Sequence, residues 1–141
     1  MTEITSDGWP RPVHRVAFLF AMSAEGTGFA RRLGLEDQGS LDSSLPAHWL
    51  KGRLAGSDGG SLEVAVGFAG TDPDHGVDRI GTVPAALAAH LLIRRFEPDL
   101  LVNAGTCGGF KVRGARVGSI YLGSKAFLFH DHRVPLPGFD A

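Results

Sequence analysis

The sequence predicts an α/β fold, a largely parallel or mixed sheet covered by helices, and three observations carry that prediction. An apolar run of strand length, Arg15 to Met22 (RVAFLFAM), passes through a tight turn into a short helical stretch. A second helical stretch, opening at Thr82, leads into another apolar strand, Asp99 to Ala104 (DLLVNA). Between them lie two more strand-length runs, joined by strong hairpin punctuation. Two such crossovers between apolar strands require a sheet buried under helices.

In chain order, residues 1–14 read as a flexible leader and 15–141 as part of one domain. After the first strand, Ser23 is the candidate N-cap, with Glu25 in the first helical turn and Gly34 ending the helix near Leu33. Glu36 to Ala47 is polar and Ser/Gly-rich and reads as a loop. Trp49 to Leu54 and Ser61 to Phe68 read as strands flanking Gly56-Ser57-Asp58-Gly59-Gly60. Gly70 to Val77 is a second loop. The next helix takes Thr82 as N-cap and Pro84 near its first position. Val83, Leu87 and Leu91 form its expected apolar stripe, with Arg94 and Arg95 at the C-terminal end and Pro98 beyond. Gly105-Thr106-Cys107-Gly108-Gly109 caps the strand after it. Val117 to Leu122 reads as a further strand, and His130 to Pro137 as extended.

Composition narrows the function. The 141 residues fit one domain, with 43% hydrophobic and 21% charged residues, as in an ordinary globular chain. A formal charge of −1 gives no electrostatic reason to expect nucleic acid or a membrane surface as partner. Small neutral or zwitterionic ligands fit better. The single cysteine, Cys107, suits a reducing compartment. The polar start lacks the basic and apolar stretches of a signal peptide. The longest apolar run, Val83 to Ile93, is interrupted by Pro84 and His90. A cytoplasmic location is expected.

In α/β sheets, ligands bind beyond the carboxyl ends of strands. Two loops qualify, Ala21 to Gly26 and Gly105 to Gly109. The latter has three glycines in five residues, so its backbone can approach a ligand and its N–H groups can form a nest. It matches neither the P-loop nor the dinucleotide fingerprint. Taken alone, it equally suits a tight turn needing positive φ. Glu25, at a helix N-terminus, would stay ionised and could take a proton from water; alone, it reads as a helix-stabilising acid. Met22 could line a sugar- or base-binding wall or join the core. His130 and His132 share one face of an extended segment, as a metal pair would, but a polar surface strand is the better reading. Cys107 reads as a buried small residue in a turn rather than a nucleophile.

Four segments together resemble a known family. They are Ala21-Met22-Ser23-Ala24-Glu25, Ile80-Gly81-Thr82-Val83-Pro84-Ala85, Val102-Asn103-Ala104-Gly105-Thr106-Cys107-Gly108-Gly109-Phe110, and Phe129-His130-Asp131-His132-Arg133-Val134-Pro135. In this order they resemble the 5'-methylthioadenosine/S-adenosylhomocysteine nucleosidases, the plant-type methylthioadenosine nucleosidases above all. The resemblance implies the nucleoside phosphorylase fold, a mixed sheet flanked by helices. It implies hydrolysis of an N-glycosidic bond to adenine and a thio-ribose, with no metal or organic cofactor, a purine nucleoside as ligand, and a homodimer. It makes Glu25 the acid that positions and activates water. It places Met22 and Phe139 at the substrate, Phe139 reaching across the dimer, and Thr106 near the water and sugar; Gly105 and Cys107 complete the substrate-binding set.

Related phosphorylases hold phosphate with an arginine at each of two places, which here carry Glu25 and Asn103. An acid repels phosphate and an asparagine supplies no charge, so water is the expected nucleophile. The resemblance covers the N-terminal half of the family pattern. The Met-Glu ribose clamp and the aspartate that protonates the purine belong to the other half, so the fold is expected to be truncated and the site incomplete. Ser119 and Lys125 stand where acids are usual. Three readings stay open: a nucleosidase once completed by a C-terminal half; an incomplete or degenerate fragment that binds a nucleoside or dimerises; and, least favoured, a purine nucleoside phosphorylase.

Overall fold

A computed structural model describes residues 12–56 and 59–123. It divides into two compact units, one ending at Cys107 and one beginning at Gly108. The first holds β1 (Arg15–Phe20), α1 (Ser23–Arg32), β2 (Glu36–Asp42), β3 (Leu45–Ala55), β4 (Ser61–Phe68), α2 (Thr82–Phe96) and β5 (Leu100–Ala104). The five strands form one mixed sheet in the order β2-β3-β4-β1-β5. No helix among the described residues is long and apolar enough to cross a membrane.

β1 is an interior strand and runs parallel to both neighbours, with Val16 opposite Val64 on β4 and Leu100 on β5. A strand covered on both faces is apolar along its covered length, which is why Val16 to Phe20 lack alternation. Its odd and even residues serve different helices. Phe20, Val64, Val66 and Phe68 pack with Ala30 and Leu35 on the α1 side. Ala17, Ala65 and Trp49 pack with Leu92 and Phe96 of α2, while Leu19 meets Ala69 and Ala88. Both helices sit close. A Cβ on Gly26 of α1 would lie 2.6 Å from the Phe68 ring, and one on Gly67 of β4 would lie 2.8 Å from Leu92. The start of β1 is tied down by Asp99, whose Oδ2 accepts the His14 and Arg15 N–H groups at 2.9 Å each.

α1 ends as its sequence requires. Gly34 adopts φ +65, and the N–H groups of Gly34 and Leu35 donate to the carbonyls of Arg31 and Ala30. That pair of bonds is a Schellman ending, closed by Leu35 and Ala30 in the same apolar cluster. α2 ends at Glu97 in the left-handed region, with Pro98 next.

Several expected elements differ. Glu36 to Ala47 is not a loop. It forms β2 and the first residues of β3, paired antiparallel. β2 is an edge strand whose first five residues are exposed, so its polar sequence hides it. Ser23 is not the N-cap of α1, nor Thr82 that of α2; those places fall to Met22 and to Gly81, which adopts φ 108. Pro84 is therefore the third residue of α2 rather than the first, still in the turn whose N–H groups need no helical partner. The stripe Val83, Leu87, Leu91 does not face the core: Val83 is 68% and Leu87 44% exposed, and the buried residues are Ala88, Leu92 and Phe96. Small alanines let α2 lie close on the sheet, and the deeper contact falls one residue round the helix from the expected stripe.

The second unit is described by itself. Lys111–Arg113 make a 3-10 turn closed by Gly114 at φ 86. The expected strand Val117 to Leu122 is absent. Arg116 to Ser119 form a turn instead, with the Ser119 N–H donating to the Arg116 carbonyl at 3.0 Å and Gly118 at φ 86 in its third position. A glycine with positive φ directs the chain into a turn where the apolar run suggested extension. His130, His132 and Lys125 lie outside the described residues.

Candidate active site

The parallel arrangement of β1 and β5 brings the two loops together. β1 delivers Ala21 and Met22 to the start of α1, and β5 delivers Gly105 and Thr106 beside it. Glu25 is the third residue of α1, in its first turn. Its Oε2 accepts the Met22 N–H at 3.2 Å, a local bond that a first-turn glutamate commonly makes. Its Oε1 accepts two bonds from Thr106, the backbone N–H at 2.8 Å and the hydroxyl at 2.6 Å.

These bonds hold the Glu25 carboxyl below its usual range. The Thr106 hydroxyl contributes most and the Thr106 N–H next; slight burial and the negative charge of Asp78 act in the opposite sense. The group is therefore an ionised acceptor at neutral pH. A carboxylate offers about four lone-pair positions, and three are filled here. The remaining one can take a water.

Gly105 makes room for this arrangement. A Cβ there would stand 3.2 Å from Oε2 and 3.3 Å from Oε1 of Glu25. None of Gly105, Gly108 and Gly109 has a positive φ, so the glycines do not serve the turn geometry that such a run suggests. At Gly105 the missing side chain is what matters. The Thr106 N–H of the expected nest is already committed to a carboxylate of the chain itself.

The other expected residues lie as follows. Met22 is 36% exposed beside Glu25. Cys107 is exposed, not buried, because the chain leaves the sheet at Ala104. Phe139 falls outside the described residues. Two neighbours were not foreseen. Asp78 binds Ser23, accepting its N–H at 3.0 Å and its hydroxyl at 2.7 Å. Arg79 lines a hollow of about 30 Å³, together with Phe20, Ala21, Gly81 and Asn103. Neither residue sits in a motif, and both reach the site from the loop before α2.

Comparison with known proteins gives the setting. The model of the phosphorylase superfamily matches residues 58–141. A 5'-methylthioadenosine nucleosidase of Arabidopsis thaliana is 40% identical over 132 residues, 92% of this chain and 47% of that protein. A 5'-methylthioadenosine/S-adenosylhomocysteine nucleosidase of the same plant is 35% identical over 130 residues, 92% of this chain and 50% of its own length. The apo structure of an Arabidopsis thaliana 5'-methylthioadenosine nucleosidase superposes with a TM-score of 0.72 at 36% identity, covering 92% of this chain and 52% of that one. The chain thus spans about half the length of the curated relatives it matches.

Proposed function

We propose, for a chain that belongs to the phosphorylase superfamily and within it to the methylthioadenosine/S-adenosylhomocysteine nucleosidases, that it supplies the water-activating part of a purine nucleosidase site. The reaction is hydrolysis of the N-glycosidic bond of 5'-methylthioadenosine or a similar 5'-thio nucleoside. One observation carries this reading: an ionised Glu25, fixed by Met22 and Thr106 at the ends of two parallel strands, with one acceptor position left. Such a carboxylate orients a water and takes its proton as the ribose develops positive charge. Phosphate fits the same place poorly. It would meet a negative charge and find the Thr106 N–H already taken. Arg79 on the adjoining hollow is the observation that favours a phosphorylase instead.

The same reading takes a purine nucleoside as partner, a homodimer as assembly, the cytoplasm as location and methionine salvage as setting. Exposed Ile80, Val83 and Leu87 support self-association. The test is adenine release from 5'-methylthioadenosine by the protein carrying these residues, with and without phosphate. Glu25→Gln is expected to lower turnover roughly 10²–10⁴-fold, the range of a general base. Its amide nitrogen must face an N–H donor, so about 1 kcal/mol of stability goes with it. Wild-type turnover in Glu25→Gln would refute the assignment, and turnover that needs phosphate would favour the phosphorylase.

A further inference from the structure

We propose that Asp78 is a positioning residue for Glu25, acting through the first turn of α1. The turn lacks a side-chain cap of its own, because its N-cap residue is Met22. Asp78 supplies one from 55 residues away, gripping both the N–H and the hydroxyl of Ser23. Ser23 precedes Glu25 by two positions in the same turn. The start of α1 is therefore held at two points, Ser23 by Asp78 and Glu25 by Thr106.

Asp78 is itself held. Its backbone bridges Thr71, and it is flanked by the bonds from Asp72 N–H to the Val77 carbonyl at 2.8 Å and from Arg79 N–H to the Gly70 carbonyl at 2.9 Å. Gly70 passes close to Pro46, where a Cβ would lie 2.0 Å from the Pro46 carbonyl oxygen. The segment between β4 and α2 is thus a small braced hairpin presenting one carboxylate to α1. The first turn of a helix has no intrahelical partners for its N–H groups and frays first. Without Asp78, the turn would keep Glu25's own bonds and the bond from the Thr27 hydroxyl to the Ser23 carbonyl, but the Ser23 N–H and hydroxyl would lose their acceptor and the aim of Glu25 at Thr106 would loosen. The negative charge of Asp78 also raises the proton affinity of Glu25, against the lowering by Thr106. Thr106 and Met22, which face Glu25 from the other sides, carry no charge.

This role rests on Glu25 being the water-activating base, but it can be read without substrate. The probe is a pH titration by NMR that follows the Glu25 carboxyl carbon and the Thr106 amide proton, which shifts as its acceptor is protonated. In Asp78→Ala the Thr106 response is expected to be lost. Asp78→Asn keeps an acceptor oxygen for Ser23 and is expected to restore it. A Thr106 amide that still tracks Glu25 in Asp78→Ala while the melting temperature falls would reduce Asp78 to an ordinary cap and overturn the proposal, as would a loss that Asp78→Asn does not rescue. If Asp78→Ala does not fold, Ser23→Ala decides in its place. It removes only the 2.7 Å hydroxyl bond; a weakened Thr106 response supports the proposal and an unchanged one overturns it. Failure of the nucleosidase reading would appear in adenine release and leave these resonances as they are.

Discussion

Oε1 of Glu25 accepts both the backbone N–H and the hydroxyl of Thr106, at 2.8 and 2.6 Å, across 81 residues of sequence. Two donors on one oxygen fix the carboxylate's direction, and they do so from the end of β5 rather than from its own helix. The remaining bond, from Met22, is longer and local.

Thr106→Val removes the hydroxyl donor and keeps the N–H. Because the hydroxyl is the largest cause of the lowered Glu25 pKa, that value should rise toward 4.5. The sign for stability follows. A depressed folded-state pKa contributes stability above the unfolded value, and that contribution disappears as pH falls through the folded value. In the variant the two values lie closer, so less stability at neutral pH comes from Glu25, and its loss, which starts near the unfolded value in both proteins, is complete at higher pH in the variant. The acid limb of any Glu25-dependent turnover should move up with it. A carboxyl-carbon titration of both proteins measures the midpoint, and an unmoved midpoint would contradict the hydrogen-bond account.

Gly26→Ala should destabilise, against ordinary helix propensity. Replacing a mid-helix glycine by alanine normally gains about 1 kcal/mol. Here the added Cβ would lie 2.6 Å from the Phe68 ring and 2.7 Å from that of Phe20. Both rings are buried, and overpacking of this kind costs roughly 1–3 kcal/mol. Urea unfolding gives the sign directly; a more stable variant would mean that α1 can move off the sheet freely.

Leu92→Ala should cost about 2–5 kcal/mol, the range for a buried leucine truncated to alanine. Leu92 is fully buried between α2 and the sheet, over Gly67. Leu87→Ala, on the stripe first expected to be the core face, should cost much less, since Leu87 is 44% exposed. Equal losses in the two variants would indicate that the face turned outward is covered in solution.

What the sequence discloses follows from range. β1, β4, α1 and β5 are legible because buried strands and helix endings leave local signatures, an unbroken apolar run in RVAFLF or a Gly34 after the last turn. β2 is hidden because an edge strand needs no apolar face. The core stripe of α2 is misplaced because Ala88 does its work by being small. Glu25 and Thr106 can be named singly from their motifs, but their bond needs the parallel pairing of β1 with β5. The grip of Asp78 on Ser23 leaves no trace in either segment, since neither carries a motif that calls for the other.

The interior place of β1, parallel to both neighbours, has a cost in time. Val16 cannot meet Leu100 until the chain has closed a loop of more than eighty residues, and its other neighbour, Val64, also arrives late. Antiparallel β3 and β4 are joined by a short turn and can pair early. A nascent chain, made at roughly 5–20 residues per second, therefore holds RVAFLF unpaired for several seconds. That strand is the segment a chaperone would meet, and its late capture is the step expected to set the folding rate.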